Sequence, residues 1–353
     1  MKLHARSVAA GANVPDELFE DVVQELVAGG DIKVWRAAEI VAEKQQRSAQ
    51  ESPLGTAAGK VILLGEHAVV YGKHALALPI ANAVTADIVE GDPEPIISIP
   101  KWAVRQKIVP GDDSGIASVV ALIQKQLGIV DSHYSIHLDS RLPRAMGLGS
   151  SAAFAVAISR AFNAKFELGL DDAQINDVAF ECEKLAHGTP SGIDNTIATY
   201  GEAMLFCNDA ALEVQRLTIT ATAPIVIACS SQSGLTKEQV ANVRARRDQS
   251  RAHYDAIFAE MDALSRAGAA ALTGGNYAEL GALMNICHGL LNAIGVVTAE
   301  LENMVSLARA AGAAGAKVTG AGGGGSIVAL CPGAVAEVRD ALDTAGFKTI
   351  SLV

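Results

Sequence analysis

The stretch "RLPRAMGLGSSAAFAVAISRAF", residues 141–162, joins a turn rich in glycine and serine directly to an alanine-rich segment with helical character. Every residue from Gly147 to Ala153 is glycine, serine or alanine, except for one leucine. Small residues let backbone N–H groups approach a ligand closely, and the first turn of a helix leaves up to four such groups without intrahelical partners. The stretch therefore predicts an anion-binding turn at the start of a helix over residues 152–166.

The composition of the chain favours a globular protein that acts on small molecules. Its 353 residues are 50% hydrophobic and 19% charged, and they suffice for two domains or for one large α/β unit. The 28 basic and 39 acidic residues give a net charge of −11. This charge disfavours binding to nucleic acid or to an anionic membrane surface, so we expect a small-molecule substrate.

The sequence gives no signal for membrane insertion or for a disulfide framework. The N-terminal residues lack the apolar region of a signal peptide, and no apolar run has membrane-spanning length without a charge or a glycine cluster. We therefore expect a cytoplasmic protein with no membrane partner. The cysteines are far apart and odd in number, so we expect reduced and mostly buried thiols. They are Cys182, Cys207, Cys229, Cys287 and Cys331.

The first 55 residues differ in composition from the rest of the chain. Apolar residues recur at helical spacing within 13–48, and two glycines, Gly29 and Gly30, interrupt them, which predicts a helical hairpin. The polar segment that follows predicts a linker, with a domain boundary near residue 55. A packing strap or the contact of a homodimer is one interpretation of the hairpin, and a regulatory or partner-binding module is the other.

The remainder of the chain predicts two domains that mix strands with helices. Alternating residues predict a strand over 134–140, and a second helix is expected over 171–187 before the loop "GTPSGIDN". A long helical region is expected over 237–272, followed by a glycine-rich strand–turn–strand segment over 316–331. We place the two domains at residues 56–220 and 221–353.

Two glycine loops, "GLGSSA" at Gly147 and "GAGGGG" at Gly320, match the short dinucleotide-binding pattern, but neither has its context. A Rossmann loop directly follows a strand and is succeeded by a helix and a parallel strand. The first loop follows an eight-residue connector and precedes two helices, and the second precedes a β-like run. The segment "GTAAGKV" also lacks the spacing and the Ser or Thr of a P-loop. Redox chemistry on a dinucleotide is therefore disfavoured, and a phosphate-binding helix start is favoured.

Four charged residues lie in segments that can join this phosphate site. Lys60 and Glu66 lie on and just after a β-run, and their spacing predicts that they share one side of an extended strand. Glu183 is expected on a helix and Asp194 in the loop that follows it. A phosphoryl transferase needs donors for phosphates, an acid and a hydroxyl for Mg²⁺, a cation for developing charge and a carboxylate for the acceptor hydroxyl.

Three segments resemble the motifs of the GHMP kinase superfamily and stand in the same order. They are "GKVILLGEHAVVYGKHALA" at 59–77, "PRAMGLGSSAA" at 143–153 and "KVTGAGGGGS" at 317–326. The resemblance covers residues 57–353. Within the superfamily, "GEHAVVYGK" together with "HGTPSGIDN" is similar to the mevalonate kinases. The resemblance implies an α+β fold with a ribosomal-S5-like N-terminal domain, a ferredoxin-like C-terminal domain and an active site between them.

The resemblance also implies a role for each matching residue in ATP- and Mg²⁺-dependent phosphorylation of the C5 hydroxyl of mevalonate. Asp194 would be the base and Lys60 its cationic partner, while Glu183 and Ser150, or Ser151 in its place, would hold the metal. Glu66 and His67 would contact the substrate or order the site. The remaining residues would bind the nucleotide or the substrate. They are Pro143, Gly147, Leu148, Gly149, Ser150, Ser151 and Ala152 for the nucleotide, and Thr236, Gly322 and Gly323 for the substrate.

Two other functions stay open from the sequence alone. One is a different kinase of the superfamily, acting on phosphomevalonate, on another hydroxyl of mevalonate or on a sugar. The other is a relative without catalytic activity that senses a ligand. The joint presence of Lys60, Ser150, Glu183 and Asp194 argues against the second alternative.

Deletion of residues 1–50 should leave turnover intact, because none of the predicted site residues lies in that segment. The measurement is ATP-dependent turnover by the truncated and full-length chains, with thermal unfolding as the control for folding. Complete loss of activity in a truncated chain that still unfolds cooperatively would overturn the packing-strap interpretation.

Overall fold

The computed structural model describes residues 55–352, apart from 91–93, 109–114, 130–133, 145, 188–189, 208–212, 220–222 and 233–235. The helical hairpin that the sequence predicts over 13–48 lies outside the described residues.

A seven-stranded sheet forms the first part of the structure. Its path is β4–β3–β5–β2–β6–β7, and β1 pairs with β2 beside this path. All pairings are antiparallel except that of β3 with β5. The strand predicted over 134–140 is confirmed as β5. The bounds are β1 Gly55–Leu64, β2 His74–Glu90, β3 Ile96–Ile99, β4 Val104–Lys107, β5 Tyr134–Ser140, β6 Ala203–Cys207 and β7 Glu213–Leu217.

Among the described residues four α-helices belong to this part, and the alanine-rich α2 has the largest number of buried residues. Ten of its residues are buried, which small side chains permit because neighbouring backbones can then come close. A Cβ at Gly55 of β1 would overlap the carbonyl oxygen of Ala157 and lie 2.6 Å from the nitrogen of Ala161. The helices are α1 Gly115–Leu127, α2 Ser150–Lys165, α3 Asp172–His187 and α4 Ile193–Tyr200.

The second part has a four-stranded antiparallel sheet in the order β11–β8–β10–β9. Counted along the chain this order is 4-1-3-2, the ferredoxin-like arrangement that the resemblance implies. Strands β8, β9 and β10 are buried along their whole length, as expected for a sheet covered by helices. The strand bounds are β8 Ile225–Cys229, β9 Gly315–Thr319, β10 Ser326–Leu330 and β11 Lys348–Leu352.

The helical region predicted over 237–272 is two helices, because the backbone leaves the helical conformation at Ser250, with φ −138° and ψ 50°. Serine competes for backbone hydrogen bonds and is a common residue at such breaks. The helices of this part are α5 Thr236–Gln249, α6 Arg251–Thr273, α7 Tyr277–Ala293, α8 Ala299–Ala310 and α9 Val335–Thr344.

One hydrophobic core joins the two sheets. It includes Leu63 and Leu76 of the first sheet together with Phe258 of α6, Met284 of α7 and Ile327 of β10. Helix α6 of the second part packs directly against β2 of the first, so part of the apolar core lies between the two parts. The five cysteines all lie among the described residues, where each is buried and none forms a disulfide, as the sequence predicts. Among the described residues, no helix has both the length and the apolar content needed to cross a bilayer.

Replacement of Gly281 by alanine should destabilise the protein, whereas the same change at Gly289 on the same helix should stabilise it slightly. A Cβ at Gly281 would lie 2.6 Å from the carbonyl carbon of Ala314, so the backbones would have to move apart. At Gly289 no described atom lies within 4 Å of the added carbon. We expect a loss of about 1–3 kcal/mol for Gly281→Ala. For Gly289→Ala we expect a gain of up to about 1 kcal/mol. Urea unfolding measures both, and equal stabilities would contradict the close packing.

Candidate active site

Lys60 and Asp194 form an ion pair at the centre of the candidate site. Lys60 lies on β1 and Asp194 on α4, and 3.0 Å separates Nζ from Oδ1. The lysine side chain is 9% exposed and that of the aspartate 27% exposed. The structure thus brings together two residues that are far apart in the sequence, and it leaves the carboxylate open to a small molecule.

Asp194 lies in the first turn of a helix, so the sequence prediction of a loop at this position is wrong. Gly192 precedes α4 with a φ of +86°, a left-handed conformation that glycine adopts without a steric penalty. The hydroxyl of Thr196 donates to the carbonyl oxygen of Gly192 over 2.7 Å and supports this turn. An acidic side chain is favoured here, because the start of a helix carries partial positive charge.

The glycine loop at 147–149 is fixed against the strand that carries Lys60. The Lys60 N–H donates to the carbonyl oxygen of Leu148 over 3.0 Å. Gly149 has a φ of +73°, and a Cβ there would lie 2.9 Å from Cγ of Lys60. Glycine is therefore required at this position both by the backbone conformation and by the closeness of the lysine.

Helix α2 begins at this loop with its N-terminal end directed at the site. The N-cap residue Gly149 has no side chain with which to cap the helix, and the amide of Ala153 makes the first intrahelical bond, to the oxygen of Gly149, over 3.0 Å. Ser150, Ser151 and Ala152 contribute the N–H groups that precede this bond. Together with the helix dipole, such groups are suited to binding the oxygens of a phosphate.

The loop between β9 and β10, residues 320–325, faces the loop at 147–149. A Cβ at Gly320 would lie 3.8 Å from Cα of Gly147, and the hydroxyl of Ser326 donates to the oxygen of Met146 over 3.1 Å. Five glycines of this loop have positive φ, namely Gly320, Gly322, Gly323, Gly324 and Gly325. The two glycine loops therefore form opposite walls of the same region.

Gly322 and Gly323, which the resemblance assigns to the substrate, are tightly packed against the protein on one side. A Cβ at Gly322 would overlap the carbonyl oxygen of Val296, and one at Gly323 would overlap the side chain of Gln239. The Gly323 N–H also donates to the oxygen of Val296 over 2.8 Å. Their lack of a side chain is thus explained by packing, and a substrate contact stays a prediction.

Glu66 contacts Lys317 and lies beyond the end of β1, so the prediction that it shares one extended strand with Lys60 is wrong. Strand β1 ends at Leu64, and its register with β2 shifts between Ile62 and Leu64. The Glu66 carboxylate accepts a hydrogen bond from the ammonium of Lys317, and both side chains are fully buried. Burial raises the pKa of the Glu66 carboxyl, while the positive charge of Lys317 opposes that rise. This buried pairing favours, for Glu66, the role of ordering the site over that of contacting the substrate.

His67 links the same segment to the second glycine loop. Its Nε2 donates to the carbonyl oxygen of Ala321 over 2.9 Å, and its backbone has a φ of +60°. Burial lowers the pKa of His67, the hydrogen bond to Ala321 opposes this, and the charge of Arg246 lowers it further. A neutral imidazole follows, whose Nδ1 is buried without a hydrogen-bond partner in the described part of the chain.

Thr319 connects β9 to β1, and neither it nor Lys317 was singled out from the sequence. The Thr319 hydroxyl donates to the oxygen of Ile62 over 2.9 Å and accepts from the nitrogen of Ile62 over 3.2 Å. It thereby satisfies both backbone groups of Ile62 at the register shift of β1. Both residues lie within the third motif, but their partners are more than 250 residues away and no local pattern indicates them.

Glu183 lies near the end of α3, and the residue is 3% exposed. Helices α2 and α3 pack together and are joined by a short connection, so α3 returns towards the residues at the start of α2. Carboxylate and hydroxyl oxygens are hard donors of the kind that Mg²⁺ prefers. No group of three acidic, histidine or cysteine side chains that could hold a metal occurs among the described residues, so a cation would need phosphate oxygens as well.

Two further predicted residues lie at the ends of elements beside the loops. Pro143 is half-buried in the connector before the first loop, next to Leu142, whose oxygen accepts a hydrogen bond from Trp102 over 3.1 Å. Thr236 is the first residue of α5. Their roles in ligand binding stay predictions.

Comparison with known proteins identifies the family. Residues 115–202 match the model of the GHMP kinases N terminal domain, and residues 269–348 match that of the GHMP kinases C terminal. The mevalonate kinase of Pyrococcus abyssi is 36% identical over 314 residues, which cover 83% of this chain and 92% of that relative. The chain belongs to the GHMP kinases. The mevalonate kinase of Thermococcus sibiricus is 34% identical over 316 residues, with 83% and 93% coverage.

Solved structures agree with the fold of this GHMP kinase. The crystal structure of L. major mevalonate kinase in complex with R-mevalonate is 30% identical, with a TM-score of 0.71, and covers 84% of this chain and 93% of its own. That of the Methanococcus jannaschii mevalonate kinase is 24% identical, with a TM-score of 0.73 and coverage of 86% and 98%, which is a likeness of fold. Membership of this kinase family implies ATP as the phosphoryl donor, and the two-domain architecture expected from the sequence is confirmed.

Gly149→Ala should lower turnover by about 10²-fold, because the added carbon would displace Lys60 from Asp194. The matched control is Gly275→Ala, whose φ of +67° imposes the same backbone penalty with no described atom within 4 Å of the new carbon. Both variants should lose about 1–2 kcal/mol of stability, and only the first should lose activity. ADP formation and urea unfolding measure the two effects. Equal activities would contradict the steric argument.

Proposed function

We propose that this GHMP kinase transfers the γ-phosphoryl group of ATP to the C5 hydroxyl of mevalonate, giving 5-phosphomevalonate and ADP. The observation that carries the proposal is the ion pair of Lys60 and Asp194, 3.0 Å apart beside the start of helix α2, whose N-cap residue is a glycine. The choice of acceptor rests on the relatives named mevalonate kinase, which align with most of the chain.

Asp194 is proposed as the base for the acceptor hydroxyl. The C5 oxygen forms its new bond to the γ-phosphorus while the bond from that phosphorus to the β,γ-bridging oxygen breaks and ADP leaves. The hydroxyl proton passes to the carboxylate of Asp194. Because the transition state of phosphoryl transfer is loose, orientation of the hydroxyl matters more than strong basicity.

Lys60 is proposed to serve both the base and the phosphoryl group. Its ammonium contacts Asp194 and so fixes the direction in which the carboxylate faces. It also places positive charge beside the oxygens that carry negative charge in the transition state. The N–H group and the side chain of Lys60 are both engaged by neighbouring residues, which limits the motion of this cation.

The phosphates of ATP are proposed to bind between the two glycine loops. The N–H groups of Ser150, Ser151 and Ala152 point from the start of α2, and the loop at 320–325 lies opposite. Backbone groups at a helix start bind phosphate without a cationic side chain. This arrangement leaves Lys60 available for the reacting group.

Mg²⁺ is proposed to be held by Glu183 and by the hydroxyl of Ser150, or by Ser151 in its place. The oxygen donors suit this ion, and the lack of a larger acidic cluster in the described residues suits an ion shared with phosphates. When bound, the ion neutralises phosphate charge. On the acceptor side, His67 and Thr236 are proposed to contact mevalonate and Glu66 to order the site.

A coupled assay for ADP release tests the acceptor. Mevalonate, phosphomevalonate, homoserine and galactose are compared with ATP and Mg²⁺, and turnover is expected with mevalonate and abolished by a chelator of divalent cations. Turnover with another acceptor would assign the protein to a different substrate class within the GHMP kinases. Absence of turnover with all four would favour a ligand-sensing role.

Asp194→Asn should lower kcat by about 10²- to 10⁴-fold if the carboxylate accepts the proton. The matched control is Asp177→Asn, at an exposed position on α3. Binding of ADP to both variants, measured by calorimetry, checks that the nucleotide site is intact. Turnover of Asp194→Asn close to that of the unmodified enzyme would remove Asp194 from the role of base.

A further inference from the structure

Three contacts join the segment around the end of β1 to the segment around the end of β9. Lys317 pairs with Glu66, Thr319 bonds both backbone groups of Ile62, and the oxygen of Ala321 accepts from His67. We call this set of contacts the β1–β9 seam. Residues 317 and 319 of a strand point to the same side, so one face of β9 supplies two of the three contacts.

The ion pair is the only charged contact of the seam in the described structure, and it is entirely enclosed. Lys317 is 0% exposed and Glu66 1% exposed. The Lys317 ammonium donates a second hydrogen bond to the oxygen of Val318 over 2.6 Å. Two charges buried together are tolerated when they are paired, whereas either one alone would be strongly destabilising.

The groups that face Glu66 come from three elements. They are Lys317 of β9, Lys60 of β1, which acts through space without contact, and Cys287 of α7. Burial raises the pKa of the Cys287 thiol to about 11, so this group is neutral near pH 7. Glu66 thus has one cation in contact and a second, Lys60, within electrostatic reach.

We infer that Lys317 is a positioning residue for phosphoryl transfer, because its ion pair with Glu66 fixes the glycine loop at 320–325 relative to the strand that carries Lys60. The inference rests on the proposed function. Loss of the pair would leave the β1–β9 seam with the contacts of Thr319 and His67 alone among the described residues.

The Glu66–Lys317 pair has a second effect, because it belongs to a series of side chains with alternating charge. Lys317, Glu66, Lys60 and Asp194 supply two positive and two negative charges from the core outwards to the site. Of the two carboxylates that interact with Lys60, Glu66 is enclosed and Asp194 is partly exposed. An apolar pair could hold the two strands together, but it would not place a negative charge within electrostatic reach of the Lys60 ammonium.

The test compares Lys317→Met, the double variant Glu66→Gln/Lys317→Met and the control Lys348→Met, an exposed lysine of the same sheet. We expect kcat to fall about 10²-fold in Lys317→Met, as for a misplaced reacting group, and to be unchanged in the control. The double variant removes both buried charges, so its thermal midpoint should approach that of the unmodified enzyme while its kcat stays low. Unchanged kcat in Lys317→Met would overturn the inference. So would full recovery of kcat in the double variant, because the pair would then be merely structural.

The pH dependence of kcat/KM separates positioning from folding. Without Lys317 the pKa of Glu66 rises further, since the main opposition to its desolvation is gone. The carboxyl is then protonated over a wider range, and activity should recover only as pH rises through the higher pKa. The part of the acidic limb that Glu66 contributes should therefore move to higher pH in Lys317→Met and be absent from the double variant. An acidic limb at the same pH in all variants would contradict a role for the Glu66 charge.

Calorimetric titration with ADP distinguishes failure of this inference from failure of the proposed function. ADP binding needs no acceptor, and a displaced loop should weaken it in Lys317→Met relative to Lys348→Met. If the unmodified enzyme does not phosphorylate mevalonate, the proposed acceptor is wrong, yet weaker ADP binding in Lys317→Met would still support the seam. Equal ADP affinities in the two single variants would contradict a positioning role for the loop.

Discussion

Other parts of the chain pack very closely against strand β1. These close contacts determine where the residues of the site lie. Helix α2 lies against β1 at Gly55, and the carbonyl oxygen of Leu148 accepts the N–H of Lys60. On another side the hydroxyl of Thr319 bonds both backbone groups of Ile62. Such approaches are possible only where side chains are small or absent. The glycines and alanines of the motifs thus allow the close packing that places Lys60 between the start of a helix and the second glycine loop.

Along the sequence, residues 218–224 separate the strands of the first sheet from those of the second. The apolar core is nevertheless continuous between the two sheets. Phe258 and Met284 of the second part are buried in one core with Leu63 and Leu76 of the first. His74 of β2 also contacts Asp262 of α6 through its backbone N–H and through Nδ1, at 2.6 and 2.8 Å. The two parts are therefore held together by the shared apolar core and by the contact of His74 with Asp262, as well as by the β1–β9 seam.

The sequence predicts the elements that local patterns encode and misses what depends on distant partners. Small residues at 147–153 indicate the loop and helix of the phosphate site, and the motifs indicate Lys60 and Asp194. The helical start at Asp194 was missed because Asp and Asn after glycine equally favour a turn. The Lys317 partner of Glu66 was missed because nothing near either residue indicates the other. Fold and family follow from patterning, whereas the charge arrangement inside the site requires the packing of both parts.

The burial of every thiol makes the cysteines reporters of how the molecule opens. Only the thiolate reacts quickly with alkylating reagents, and burial raises the pKa of Cys182 to about 12 and that of Cys331 to about 11. Cys182, on α3, is buried in the core of the first part, and Cys331 follows β10 of the second. Their modification rates in the native protein therefore measure the frequency of opening of two separate regions, without any label being introduced. A ligand that bridges the parts would slow both reactions together, whereas one that rigidifies a single part would slow only one.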